Sequence, residues 1–136
     1  MVALAVLGRV AARSSLYETL PEGGARQPRY INAAVRLDTE LSARRLLEGC
    51  LAIESARGRV RQPGTGKAPR TLDIDLLLYG DAVIDEPGLR VPHPSLLARS
   101  FVRIPLAEVA LPGLRHPTTA DALDCCHPDP SVMRFG

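Results

Sequence analysis

A chain of 136 residues, 46% hydrophobic and 24% charged, has the size and balance of one globular domain with a core of its own. Its net charge of +2 is too small to argue for a nucleic-acid partner, and the apolar opening, residues 2–7, is far too short to span a membrane. Three cysteines, Cys50 and the adjacent Cys125 and Cys126, form no disulfide framework and point to a reducing, cytoplasmic setting.

In chain order, residues 2–7 followed by Gly8 read as the last turns of a helix with a glycine stop. Residues 10–18 read as a strand, and residues 20–29, with Pro21, Gly23, Gly24 and Pro28, as a loop. Ile31, Ala33, Val35 and Leu37 alternate with Asn32, Ala34, Arg36 and Asp38, which predicts a half-buried strand. Ser42 suits the N-cap of a helix running to about Arg57, with a core stripe of Leu46, Leu47, Cys50, Leu51 and Ile53 and a stop at Gly58. Residues 62–69 form a second Gly/Pro-rich loop. A strand over 70–79, a turn at Gly80-Asp81, a short strand at 82–84 and short helices at 95–99 and 105–110 follow. From Pro112 the tail reads as irregular, with one turn near Asp121. Strands and helices mix without βαβ alternation, so the expected class is α+β with a mainly antiparallel sheet.

The 70–79 strand is the most informative stretch. It places Leu72, Ile74, Leu76 and Leu78 on one face and Asp73 with Asp75 on the other. At about 4 Å two like charges repel by roughly 1 kcal/mol in water and about 4 kcal/mol at an effective dielectric of 20. A divalent cation would offset that, and magnesium takes one or two carboxylates together with substrate phosphates. The alternative is two aspartates on the wet face of a strand. Arg59 and Arg61 precede this stretch and Arg70 opens it. Guanidinium forks suit phosphate oxygens, so the cluster has the parts of a phosphoryl-transfer site; a surface ion-pair network is the competing explanation. Gly64-Thr65-Gly66-Lys67 imitates a P-loop but lacks the glycine at Arg61, the Ser/Thr at Ala68 and the following helix, so a P-loop is rejected. Adjacent Cys125 and Cys126 lack zinc-site spacing.

Lys67-Ala68-Pro69-Arg70-Thr71-Leu72-Asp73-Ile74-Asp75-Leu76-Leu77 resembles the signature of the hydroxymethyldihydropterin pyrophosphokinases, enzymes of folate biosynthesis. Tyr30-Ile31-Asn32-Ala33-Ala34-Val35 resembles that family's pterin-site strand. Glu54 with Arg57-Gly58-Arg59-Val60-Arg61 resembles its helix end and arginine pair. Val91-Pro92-His93-Pro94, Arg99, Phe101 and Pro105-Leu106 resemble its later active-site segment, so order and spacing agree from about Ser14 to Ala110.

The resemblance implies a ferredoxin-like fold and pyrophosphate transfer from ATP to the hydroxymethyl group of a reduced pterin, with two magnesium ions. It implies Asp73 and Asp75 as magnesium ligands. It implies Arg59, Arg61, Arg70, His93 and Arg99 on the triphosphate and Glu54 on the ATP side. Tyr30 and Phe101 would sandwich the pterin, Asn32 would bond its polar edge, and Thr19 and Leu20 would offer backbone groups. Two departures stand out. Gly66 occupies a position where the family usually has a base, with Lys67 one place later in a longer loop. The family also opens with a strand, a Gly-Ser-Asn turn and a helix, and residues 2–8 match only that helix's end. The expectation is therefore one pyrophosphokinase domain over 1–136, N-terminally incomplete, with an exposed sheet edge that invites oligomerisation. A catalytically impaired remnant that binds nucleotide or pterin is the alternative. A nucleic-acid-binding module is disfavoured, because such modules stack bases on several sheet aromatics and the Asp73 strand offers only Tyr79 at its end.

Overall fold

A computed structural model describes residues 2–19, 30–58 and 73–134. A 3-10 turn (Val2–Val6) leads into β1 (Arg9–Arg13), β2 (Tyr17–Thr19), β3 (Tyr30–Asn32), β4 (Val35–Asp38) and helix α1 (Ala43–Gly58). Then come β5 (Ile84–Glu86), β6 (Leu89–Val91), a 3-10 turn (Leu96–Ala98), α2 (Ser100–Val109) and β7 (Val132–Arg134). Every strand pair among the described residues is antiparallel, and the class is α+β.

The two longer strands expected over 10–18 and 31–38 are each broken in two. β1 pairs with β4, with a bulge between Val10 and Ala12, and β2 pairs with β3, joining Tyr17 to Asn32 and Thr19 to Tyr30. Between them the Ser14 N–H donates to the Ala34 carbonyl at 2.8 Å, while the Ala34 N–H donates to Ser14 Oγ at 2.8 Å. A side-chain hydroxyl thus stands in for a backbone acceptor, the ladder is interrupted and the ribbon bends. The tail expected to be irregular supplies β7, which pairs with the other edge of β2, Val132 opposite Thr19 and Arg134 opposite Tyr17. Three residues are too few for an alternation to be visible in sequence.

Helix α1 starts as expected: Ser42 Oγ accepts the Arg45 N–H at 3.2 Å. Leu46 and Cys50 are buried, but Leu51, expected in the core, is 52% exposed. Leu47, Cys50 and Glu54, at spacing i, i+3, i+7, share the inner face instead. Gly49 allows the N-terminal turn to pack closely, since a Cβ there would lie 2.5 Å from Leu7 Cδ2. The strand expected at 82–84 is displaced to β5, whose partner β6 returns through Pro87-Gly88, with Gly88 at φ +76°. Helix α2 begins at Ser100, well before the expected start, and carries Pro105 inside it, buried with Leu106 and Val109. Tertiary packing here overrides the helix-starting preference of proline.

The expected strand over 70–79 is not formed where it can be described. Residues 73–79 pair with no strand among the described residues. The reason lies in packing. Leu76 and Tyr79 join a cluster around Ala43, Leu89 and Val91, while Leu77 and Leu78 join another around Ala34, Leu96, Leu106, Val109 and Leu123. The segment wedges between two cores rather than presenting alternate faces, although Asp73 and Asp75 are both exposed with Ile74 half-buried between them. The backbone is held through other groups: the Ile74 N–H donates to Glu54 Oε2, and the His93 N–H donates to the Leu77 carbonyl at 2.8 Å.

Candidate active site

Two groups of candidate residues can be traced. The first centres on the 73–79 segment. Glu54, one turn beyond Cys50 on the inner face of α1, has one carboxylate oxygen committed to the Ile74 amide, between the two aspartates. On the other side, His93 follows the β6 end and a cis Val91-Pro92 peptide, and its backbone is bonded to Leu77. His93 Nδ1 accepts the Ser95 N–H at 3.1 Å, which leaves the proton of a neutral ring on Nε2 as a donor. Glu54 and the His93 backbone are therefore each tied to the same short stretch, at Ile74 and at Leu77. Sequence spacing could not show this, because the link between Glu54 and Ile74 crosses 20 positions.

His93 also lines a cleft of about 340 Å³ with Arg90, Asp85, Leu97, Thr118 and His116. His116 was not singled out from sequence. It is buried, and its Nδ1 accepts the N–H groups of Thr118 and Thr119, each at 3.2 Å. A larger concavity of about 580 Å³, lined by residues 5–8 and 38–41, contains none of the candidate residues.

The second group lies on the β3–β2–β7 sheet and the start of α2. Thr19 and Asn32, on neighbouring strands, are both half-buried, and Asn32 Nδ2 donates to Thr19 Oγ1 at 3.1 Å. That leaves an amide donor and the amide oxygen of Asn32 for a further partner. Phe101 sits in the first turn of α2, which packs against β1 to β4, and the Arg99 guanidinium carbon lies 5.6 Å from its ring centroid. Arg99, expected on phosphate, and Phe101, expected on pterin, are thus in cation–π contact. Glu108, at the other end of α2, was missed from sequence. Its carboxylate accepts the Ser15 N–H at 3.0 Å and the Tyr17 hydroxyl, with Arg134 Nη2 at 4.0 Å, so it ties α2 to both β2 and β7.

Leu20, Arg59, Arg61, Arg70, Lys67 and the loops 20–29 and 62–69 lie outside the described residues, as does the Tyr30 side chain. Among the described residues no three His, Cys, Asp or Glu side chains group as a metal cluster. The Asp73 and Asp75 pair offers hard oxygen donors only, which suits a cation that completes its shell with water and phosphate oxygens. No helix among the described residues is long and apolar enough to cross a membrane.

A family model described as 7,8-dihydro-6-hydroxymethylpterin-pyrophosphokinase matches residues 1–111. A Pseudomonas aeruginosa protein named 2-amino-4-hydroxy-6-hydroxymethyldihydropteridine pyrophosphokinase is 49% identical over 109 residues, covering 80% of this chain and 65% of that protein. A Methylorubrum extorquens protein of the same name is 49% identical over 102 residues, covering 75% and 63%. The folic acid synthesis protein fol1 of Schizosaccharomyces pombe is 38% identical over 115 residues, covering 85% of this chain but 15% of its own length. The chain thus spans just under two thirds of the length of these two bacterial relatives. With more than three quarters of its length inside the family match, the chain belongs to the 7,8-dihydro-6-hydroxymethylpterin-pyrophosphokinase family.

Proposed function

We propose that this chain transfers pyrophosphate from ATP to the hydroxymethyl group of 6-hydroxymethyl-7,8-dihydropterin, as a cytoplasmic enzyme of folate biosynthesis. The observation that carries the reading is the family match over residues 1–111, and it is supported by the Glu54 carboxylate bonded to the amide between Asp73 and Asp75 and by the His93 backbone bonded to Leu77 in the same segment. In the reaction the hydroxymethyl oxygen bonds to the β-phosphorus. The bond from that phosphorus to the oxygen bridging to the α-phosphate breaks, AMP leaves, and the hydroxyl proton passes to solvent. Such a transfer needs alignment and charge neutralisation more than a nucleophilic side chain.

Asp73 and Asp75 would hold magnesium, two ions in this reading, and the metal when bound would neutralise triphosphate charge. His93 would donate its Nε2–H to a phosphate oxygen, with Arg59, Arg61, Arg70 and Arg99 supplying cationic contacts. Thr19, Leu20 and Asn32 would bond the pterin edge, and Tyr30 and Phe101 would stack on its ring. Incubating the protein with ATP, magnesium and the reduced pterin and separating the nucleotides tests this. AMP formed in step with pterin diphosphate is the expected result. ADP, or no pterin-dependent AMP, overturns the reading.

A further inference from the structure

One oxygen of the Glu54 carboxylate is committed inside the protein. Its Oε2 accepts the N–H of Ile74, the peptide unit that joins Asp73 to the residue preceding Asp75. In an extended stretch Asp73 and Asp75 project to one side and the intervening residue to the other, and the exposure pattern agrees. Rotation about the peptide at Ile74 therefore changes the spacing and the aim of both carboxylates together. A strand ladder would normally prevent that rotation. Residues 73–79 have none among the described residues, and the next backbone tie, Leu77 to His93, is three residues along. Glu54 is itself fixed, since it lies on the half-buried inner face of a 16-residue helix, one turn from buried Cys50.

We infer that Glu54 is a positioning residue: by accepting the Ile74 amide it sets the Asp73–Asp75 pair at the separation a divalent cation requires, and it contacts neither the metal nor the nucleotide. This rests on the reading of Asp73 and Asp75 as magnesium ligands. The oxygen acceptor is what the role needs, not the negative charge. Groups that orient metal ligands in this way commonly change metal affinity by about 10- to 100-fold when removed.

The acceptor and the charge can be separated. Glu54→Gln keeps a carbonyl oxygen for Ile74 and loses the charge; Glu54→Ala loses both, and alanine suits the helix. The full chain would be titrated with Mn2+ in the presence of a non-hydrolysable ATP analogue and followed by electron paramagnetic resonance. Hydrogen exchange at the Ile74 amide would be read in parallel on the unliganded protein. The expected result is a roughly tenfold loss of Mn2+ affinity and faster Ile74 exchange in Glu54→Ala, with Glu54→Gln within about threefold of the parent in both. Equal loss of affinity in the two variants, with Ile74 still protected in Glu54→Gln, overturns the inference and makes Glu54 a direct charge contact. Unchanged affinity in Glu54→Ala overturns it too. Asp75→Asn separates the two levels: if it keeps full Mn2+ affinity, the metal-ligand reading fails, whereas if it loses affinity and Glu54→Ala does not, only the positioning role fails.

Discussion

The two halves of the candidate site are held by opposite means. On the β3–β2–β7 sheet, Thr19 belongs to a strand bonded on both edges, and Asn32 to its neighbour. Around residues 73–79 the described ties are the Glu54 carboxylate on Ile74, the His93 N–H on the Leu77 carbonyl, the Tyr79 hydroxyl on the Leu41 carbonyl, and leucines wedged into two cores. A ladder spreads position over many equivalent bonds. A wedge concentrates it in a few side chains, so single substitutions should move the carboxylate side further than the sheet side, and the two should respond separately.

The largest effect should come from Asp75→Asn, with Asp73→Asn behaving alike. If the aspartates hold magnesium as proposed, loss of one ligand is worth several kcal/mol in the transition state, and turnover should fall by about 100-fold or more. Thermal melting of Asp75→Asn without magnesium should stay the same or rise slightly, because like-charge repulsion is relieved. Turnover near the parent rate would detach the carboxylates from the chemistry.

Leu77→Ala comes next. Full burial would make the cost about 2–5 kcal/mol, and partial burial should bring it toward 1–3 kcal/mol in urea denaturation. The sharper expectation is kinetic: KM for Mg-ATP should rise while KM for the pterin stays put. A matching rise in both would mean that the two halves are mechanically one.

Tyr17→Phe probes the sheet side and should be milder. The Tyr17 hydroxyl donates to Glu108, and a bond to a charged group contributes about 1.5–3 kcal/mol at most. Glu108 keeps the Ser15 amide after the change, which should hold the loss near 1 kcal/mol. Here the pterin KM is the one expected to respond. The smallest effect belongs to Leu51→Ala. At 52% exposure it should stay within about 0.5 kcal/mol of the parent, whereas Leu46→Ala, at 6% exposure, should cost about 2–5 kcal/mol.

That last pair marks how far the sequence could be read. The span of α1, its Ser42 cap and most of its inner face were legible, because periodicity and capping are local. Leu51 was misplaced because an apolar residue at the edge of a stripe looks like a member of it. The aspartate pair stood out in the sequence, but the conformation of its segment did not. Alternation at 72–78 is a strand signal, and only tertiary packing sends Leu77 and Leu78 into the same cluster. The aspartates were singled out from the strand alternation and Glu54 and His93 from the family motif, but the ties of Glu54 to Ile74 and of His93 to Leu77 were not, since they are bonds between distant positions. Glu108 and His116 carried no local signal at all; their roles arise from partners on other elements or from a turn whose pairing is not visible in spacing.

The burial of Cys50 has a use outside catalysis. Desolvation first, and the nearby Glu54 charge second, push its thiol up from the ordinary value, so little of it is the reactive thiolate at neutral pH. Cys125 is exposed and Cys126 half-exposed. A small alkylating reagent should therefore modify the tail pair at once and Cys50 only when the inner face of α1 comes away from the core. With the tail cysteines replaced by serine, the rate of Cys50 alkylation becomes a direct reading of how often that face opens, and so of how firmly the helix that carries Glu54 is seated.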